Sequence, residues 1–109
     1  MELKTFPFQT VDWAAIEKKQ YPGITGHASW QVFSMGDIRV RIVEYSAGYL
    51  ADHWCKKGHI LFCLEGEMTT ELEDGREFIL TAGTSYHVGD DCEAHRSRTE
   101  KGCRLFIVD

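Results

Sequence analysis

The sequence predicts a single all-β domain of short antiparallel strands that form a barrel or a sandwich. Its 109 residues fit one compact domain and leave no room for a second core. Eight or nine β-type segments follow one another at near-regular spacing, and turn signals such as Gly36-Asp37 and Asp74-Gly75 separate them. Little of the chain is typical of helix, so strands must supply the core.

Residues 1–28 are the least regular part and are expected to form an arm of the same domain. One interpretation is a short helix over residues 12–19, capped by Thr10 or Asp12 and ended by Pro22-Gly23. The other interpretation is an irregular arm laid over the barrel. The residues favour neither.

The barrel itself is expected to span residues 29–109 and to begin with two strands joined by a tight turn. Residues 29–35 are rich in aromatic and β-branched side chains, and residues 37–45 alternate apolar side chains with arginines. A strand-like stretch at 52–55 follows, then a break at Lys57-Gly58, an apolar strand at 59–64 and a turn at 65–67. Further strands are predicted over 68–73, 76–81, 84–88, 95–100 and 103–109, with a polar loop over 89–94.

Composition excludes several classes of partner. The net charge is −5 and the basic residues are scattered, so no surface for nucleic acid is indicated. The amino terminus does not have the pattern of a signal peptide, and no apolar run reaches the ~18 residues of a membrane span. We therefore expect a cytoplasmic protein, without a membrane partner, whose four cysteines are free thiols.

Metal-ligand residue types are concentrated between two glycine-marked turns. His53, Cys55 and His59 lie within seven residues, and His95 follows much later. On a strand, His53 and Cys55 would project from the same face, as would His59, Leu61 and Cys63 on the next strand. Imidazole and thiolate suit zinc, iron, nickel, cobalt or copper rather than magnesium or calcium. The cluster therefore predicts a divalent transition metal.

These residues resemble the two sequence motifs of the cupin superfamily. Gly48, His53, Cys55, His59 and Gly66 follow the first motif, with Cys55 in the slot of its second histidine and His59 in the slot of its glutamate. Residues 83–99 are similar to the second motif, with His95 as its last histidine, but the usual proline and asparagine are absent. A thiolate in place of a carboxylate keeps the formal ligand charge and makes the ligand set softer, which disfavours manganese.

The segment ADHWCKKGHI resembles more specifically the small bacterial proteins called DHCW-motif cupins, and the resemblance extends over nearly the whole chain. It implies a jelly-roll barrel, also called a double-stranded β-helix. It also implies an interior metal held by His53, Cys55, His59 and His95, and a homodimer that pairs through an edge sheet. It implies no particular reaction.

Other polar residues have two interpretations each. Glu93 is either a general base or second acceptor near His95, or a solvated loop carboxylate. Only one of Tyr86 and His87 can face the pocket. Arg39 and Arg41 either lie on a solvated face, or one of them holds a carboxylate substrate. Three cysteines remain: Cys63 and Cys103 are expected to pack in the core, and Cys92 is left open.

Three functions fit this pattern. The first is a metal enzyme that acts on a small polar molecule, as an oxygenase, isomerase or lyase, with Cys55, Glu93 and Tyr86 as the candidate catalytic residues. The second is a binding or sensing module that uses the same pocket for a small-molecule ligand. The third is a closed structural zinc site with four protein ligands. The number of side chains that reach the metal separates them.

Overall fold

The computed structural model describes Leu3 and residues 5–109, and its all-β architecture confirms the predicted fold class. Within these described residues, a single 3₁₀ turn over Trp13–Ala15 precedes eight strands, and every strand pair is antiparallel. The strands are β1 Lys19–Pro22, β2 His27–Met35, β3 Ile38–Tyr45, β4 His59–Leu72, β5 Glu77–Thr81, β6 Ser85–Val88, β7 His95–Arg98 and β8 Cys103–Val108. Within Leu3 and residues 5–109, no helix has the length and apolar character that crossing a membrane requires.

Strand β4 joins the two halves of the fold. Its first half pairs with β8 and β6 and belongs to a sheet that continues through β3, β2 and β1. Its second half pairs with β5 and β7. Buried side chains of both halves, among them Leu61, Met68 and Leu105, form the shared core. One long strand therefore fixes the position of β6 and β7 relative to the main sheet.

The turn predicted at residues 65–67 is wrong, because β4 continues through it. The pairing of β4 with β8 shifts register between Cys63 and Glu65, which marks a bulge. Gly66 has φ +78°, a left-handed conformation in which glycine is favoured, and the chain bends there without reversing. A Cβ at Gly66 would lie 2.3 Å from the Gly102 carbonyl oxygen. The glycine is thus needed both for its conformation and for the close approach of β8.

We expect Gly66→Ala to lower the free energy of unfolding by about 3 kcal/mol, since it adds left-handed strain to a backbone clash. Gly36→Ala is the matched control: Gly36 also has a positive φ, but a Cβ there would meet nothing within 4 Å. The control should lose only about 1 to 2 kcal/mol from strain. Chemical denaturation of both variants measures the difference, and equal losses would contradict the role of the close approach.

The amino-terminal arm contains more structure than either sequence interpretation gave. Asp12 caps the 3₁₀ turn by accepting a hydrogen bond from the Ala14 amide, but Ile16 is already extended. The buried Gln31 side chain donates to the carbonyls of Trp13 and Ile16, at 2.6 and 2.9 Å. This tertiary contact occupies carbonyls that a longer helix would need for its own amides. The chain then forms β1, a strand that the sequence analysis did not predict.

Candidate metal centre

The segment that carries Cys55 is a loop, so the strand predicted at residues 52–55 is wrong. Residues 52 and 53 form a bend, and only Cys55 makes a β-bridge, with His95 at the start of β7. The Cys55 amide donates to the His95 carbonyl at 2.8 Å, and the His95 amide donates back to the Cys55 carbonyl at 3.0 Å. These two backbone bonds hold Cys55 directly opposite a histidine that lies forty residues later in the chain.

His59 completes a group of three ligand atoms. It is the first residue of β4 and is buried, as are Leu61 and Cys63 on the same face, which confirms the predicted alternation. The Cys55 sulfur lies 3.4 Å from Nε2 of His59. One ligand atom each from Cys55, His59 and His95 can be placed so that all three lie within 4.8 Å of one another. The fold therefore brings together three of the four predicted metal ligands.

Hydrogen bonds hold both imidazole rings by their Nδ1 atoms. Nδ1 of His59 lies 2.8 Å from a carboxylate oxygen of Asp109, and Nδ1 of His95 donates to the Glu93 carbonyl at 2.9 Å. Each ring is thereby left with Nε2 for a ligand, the arrangement found around metal-binding histidines. Nε2 of His95 is buried and has no hydrogen-bond partner among the described residues.

The spacing of Cys55 and His59 fits two ligands of a tetrahedral transition metal. Ligands about 2.3 Å (sulfur) and 2.0 Å (nitrogen) from one ion are roughly 3.5 Å apart, close to the 3.4 Å between Cys55 and His59. A metal would also satisfy the unpartnered Nε2 of His95, which otherwise carries the cost of a buried polar atom without a bond. Thiolate and imidazole together suit zinc, iron, nickel or copper.

The charges of the centre are coupled. The side chain of His59, at hydrogen-bond distance from the sulfur, and then the nearby side chain of His95 outweigh burial and lower the pKa of Cys55 to about 5. Burial alone would lower the pKa of His59, but its bonds to Asp109 and Cys55 prevail and raise it. Without a metal, both shifts favour a thiolate beside an imidazolium over two neutral groups. Metal binding requires the proton between Nε2 and sulfur to leave.

Asp109 is the residue that the sequence analysis missed. Its carboxylate is fully buried and accepts hydrogen bonds from Arg39, Arg41 and His59. Burial would raise its pKa, but the bonds to His59 and the two arginines hold that pKa well below its usual range. Strand alternation could have found it, because Asp109 follows Leu105 and Ile107 on the face that points into the core.

His53 is the predicted ligand that the structure does not bring into the group. Its side chain is 74% exposed, and Nδ1 lies 2.6 Å from the carboxylate of its neighbour Asp52. The prediction that His53 and Cys55 project from the same face of a strand is wrong, because residues 52–55 do not form a strand. His53 nevertheless lines the same cavity as Cys55 and His95. This cavity lies beside the candidate metal centre and has a volume of about 300 Å³.

The remaining candidates fall on different sides of this cavity. Tyr86 points inward, with its ring 5.8 Å from that of His95, whereas His87 is exposed. Burial raises the pKa of Tyr86, so its hydroxyl stays protonated. Glu93 is an exposed carboxylate paired with Arg76, which agrees with a solvated loop residue rather than a base.

The four cysteines are free, as expected. Cys63 and Cys103 are buried in the core cluster, in agreement with their predicted packing role. Cys92 is exposed in the loop before β7. Cys55 is therefore the cysteine that the fold places beside histidines.

Arg39 and Arg41 of β3 do not lie on an open, solvent-exposed face of the sheet. Arg41 is buried, and both Arg39 and Arg41 lie over the Trp30 ring, at 5.3 and 4.4 Å from its centroid. Both arginines and Trp30 line the cavity next to the candidate metal centre. The interpretation in which an arginine faces the pocket thus has the geometry it needs.

No family sequence model matches the chain, and no curated protein of similar sequence was found. Solved structures are similar in fold. A protein from Thermotoga maritima described as a predicted oxalate decarboxylase superimposes with a TM-score of 0.77 at 15% identity, over 92% of this chain and 96% of that one. An RmlC-like cupin from Shewanella frigidimarina gives 0.72 at 20% identity, over 94% and 89%.

A third similar structure is a cupin-superfamily sugar phosphate isomerase from Silicibacter pomeroyi, with a TM-score of 0.71 at 16% identity over 92% of this chain and 74% of that one. Together these similarities show that the chain has the cupin jelly-roll fold. The fold expected from the motif resemblance is confirmed. Two of these proteins are described by different activities, a decarboxylase and an isomerase, so the fold does not select a reaction.

Proposed function

We propose that this cupin-fold chain binds one divalent transition metal through Cys55, His59 and His95 and uses it to bind and transform a small polar molecule. The observation that carries the proposal is the convergence of three ligand atoms within 4.8 Å, one of them a buried imidazole nitrogen without a partner. A bound metal of this kind supplies Lewis-acid polarisation or activation of a bound water.

The geometry favours an open site over a closed structural one. Structural zinc sites have four protein ligands, whereas catalytic sites keep a position for water or substrate. Among the described residues, only three side chains form the group, and a cavity of about 300 Å³ adjoins it. The enzyme hypothesis is therefore preferred to the structural one, and a sensing module that uses the same open position is the second candidate.

The residues around the cavity have distinct roles in this proposal. Asp109 and the Glu93 carbonyl orient the two imidazole rings. Tyr86 presents a protonated hydroxyl on a ring next to His95, so it can donate a hydrogen bond to a bound molecule but cannot act as a base near neutral pH. Glu93 is tied to Arg76 at the surface and is not assigned a catalytic role.

Metal analysis of the purified protein at neutral pH tests the proposal. We expect about one equivalent of a transition metal in the natural protein and its loss in Cys55→Ala, because two imidazoles alone seldom retain the ion. Without a metal, Cys55 should react rapidly with iodoacetamide at pH 7, since its thiol is largely ionised. Added zinc should protect it.

The matched control is His53→Ala, which removes an exposed imidazole at the edge of the same cavity. We expect it to keep the metal. Loss of metal from His53→Ala as complete as from Cys55→Ala would mean that His53 moves inward as a fourth ligand, and would favour the closed structural site. Absence of stoichiometric metal from all three proteins would refute the proposal.

We also propose a cytoplasmic homodimer. Free thiols are in keeping with a reducing compartment. The outer face of the main sheet carries two apolar rows in register, Val40–Val108–Ile60 and Phe106–Phe62, and Ile60 and Phe62 are exposed. Such a surface is typical of an interface. Sedimentation that gives a monomer mass at micromolar concentration would contradict the dimer.

A further inference from the structure

We propose that the cavity beside the metal centre recognises a small carboxylate, which the Arg41 guanidinium holds while another polar group of the same molecule faces the metal. This inference names the substrate class for the proposed function and rests on that function only for the contact between the ligand and the metal. The contact between the carboxylate and Arg41 does not require a metal.

The cavity is strongly basic. Arg39, Arg41, Lys57 and Arg96 line it together with three histidines, and none of the described residues that line it is acidic. Asp109 lies behind this surface and supplies one negative charge against the two positive charges of Arg39 and Arg41. One positive charge of this group is left uncompensated, and a divalent metal with one thiolate ligand adds another. A buried positive surface of this kind favours an anion.

The contacts of the three arginines distinguish Arg41 from Arg39 and Arg96. Arg39 uses two nitrogens to hold both oxygens of Asp109, at 2.9 and 3.1 Å. Arg96 is paired with Glu71 and lies over the Trp54 ring. Arg41 gives Asp109 one bond, at 2.8 Å, and its Nε is buried without a partner among the described residues. Nε of Arg96 is likewise buried without a partner among the described residues. Arg41 is therefore distinguished by its bond to Asp109, the carboxylate that also holds His59.

The position of Arg41 links it to the metal centre. One oxygen of Asp109 lies 2.8 Å both from a nitrogen of Arg41 and from Nδ1 of His59. The Trp30 ring lies against the guanidinium, with its centroid 4.4 Å away, and limits where it can move. A molecule in the cavity can therefore touch both Arg41 and the ligand atoms of the centre.

Size and chemistry restrict the ligand to a short carboxylic acid. A volume of about 300 Å³ is at the lower limit of the ~300–1,000 Å³ of small-molecule sites. Leu61, Ile107 and the Tyr86 ring also line it, so it accommodates a short carbon chain between polar ends. The planar guanidinium matches a carboxylate through two parallel hydrogen bonds.

Calorimetric titration with malonate, and with the neutral isostere malonamide, tests this inference. The protein is measured after metal removal with the neutral chelator 1,10-phenanthroline, and again after loading with one equivalent of zinc. We expect malonate to bind at least about tenfold more tightly than malonamide in both forms, since hydrogen bonds between charged groups are the stronger ones. Zinc should increase the affinity further.

Arg41→Lys keeps the positive charge but loses the planar guanidinium that can donate two parallel hydrogen bonds to a carboxylate. It should therefore weaken malonate binding by about tenfold. Arg104→Lys is the matched control, because it makes the same substitution at a half-buried arginine of the same sheet that lies outside the cavity and near Glu44. It should change the affinity by less than about twofold. Equal weakening in both variants would overturn the inference, because the effect would then not depend on an arginine that lines the cavity.

A measurement on the natural protein keeps the test valid if Arg41→Lys does not fold. The Nε–H resonance of Arg41 should shift in a proton–nitrogen spectrum as malonate is added. Malonate that binds without moving this resonance, or inorganic phosphate that binds more tightly than malonate, would overturn the carboxylate assignment. Binding that depends on Arg41 in a protein that takes up no metal would uphold this inference while the proposed metal function fails.

Discussion

His95→Asn is expected to reduce metal affinity by more than about 100-fold while the protein remains folded, because the loss of a ligand should exceed the ~10- to 100-fold that the loss of a supporting group costs. Nε2 of His95 has no partner among the described residues, so its removal breaks no bond in the metal-free chain. The asparagine amide can still donate to the Glu93 carbonyl in place of Nδ1. The ligand is thus removed while its support remains.

Competition titration with a chromophoric chelator measures the affinity, and urea denaturation of the metal-free protein measures the structural cost, which should stay near 1 to 3 kcal/mol for a smaller buried side chain. His87→Asn is the control, since His87 is an exposed histidine on the neighbouring strand β6. Undiminished metal affinity in His95→Asn would show that the unpartnered nitrogen is not a ligand.

Much of the fold could be predicted because its signals are local. Alternation identified β2 and β3 as well as the inward face of His59, Leu61 and Cys63, and Asp74-Gly75 marked the hairpin between β4 and β5. Two errors have one cause each. Gly66 was interpreted as a reversal because a glycine between acidic residues also occurs in turns, whereas here the approach of Gly102 decides its role. The arm forms β1 because β2 offers it an edge, which the arm's own residues do not reveal.

The sequence indicates which residue types form the metal centre, but not which individual residues come together there. Cys55 and His95 meet through a backbone bridge between residues forty apart, and no spacing rule contains that contact. His53 was included because a strand was assumed to extend from it to Cys55, and the bend at residues 52 and 53 turns its side chain toward solvent. Asp109 escapes prediction because an aspartate at the end of an apolar strand is ordinarily solvated, and its burial here depends on the two arginines and the histidine that pair with it.

Asp109→Ala is expected to lower the free energy of unfolding by about 3 to 5 kcal/mol, the usual cost of removing one partner from a buried ion pair. The carboxylate is fully buried, and without it Arg41 would be a buried cation with no counter-charge among the groups it contacts. Chemical denaturation measures the change. Asp74→Ala is the matched control, because Asp74 forms an exposed pair with Arg76 and its loss should destabilise the protein far less.

Asp109→Asn separates the stabilising role of this residue from its effect on the metal. Asparagine keeps the shape and one carbonyl oxygen for Nδ1 of His59 but loses the negative charge that orients the ring and raises its basicity. We expect zinc affinity to fall by about 10- to 100-fold in the folded variant, as for other carboxylates behind metal-bound histidines. The same carboxylate also positions Arg41, so malonate binding should weaken in parallel. A variant with lowered stability but unchanged affinity for both zinc and malonate would reduce Asp109 to a purely structural residue.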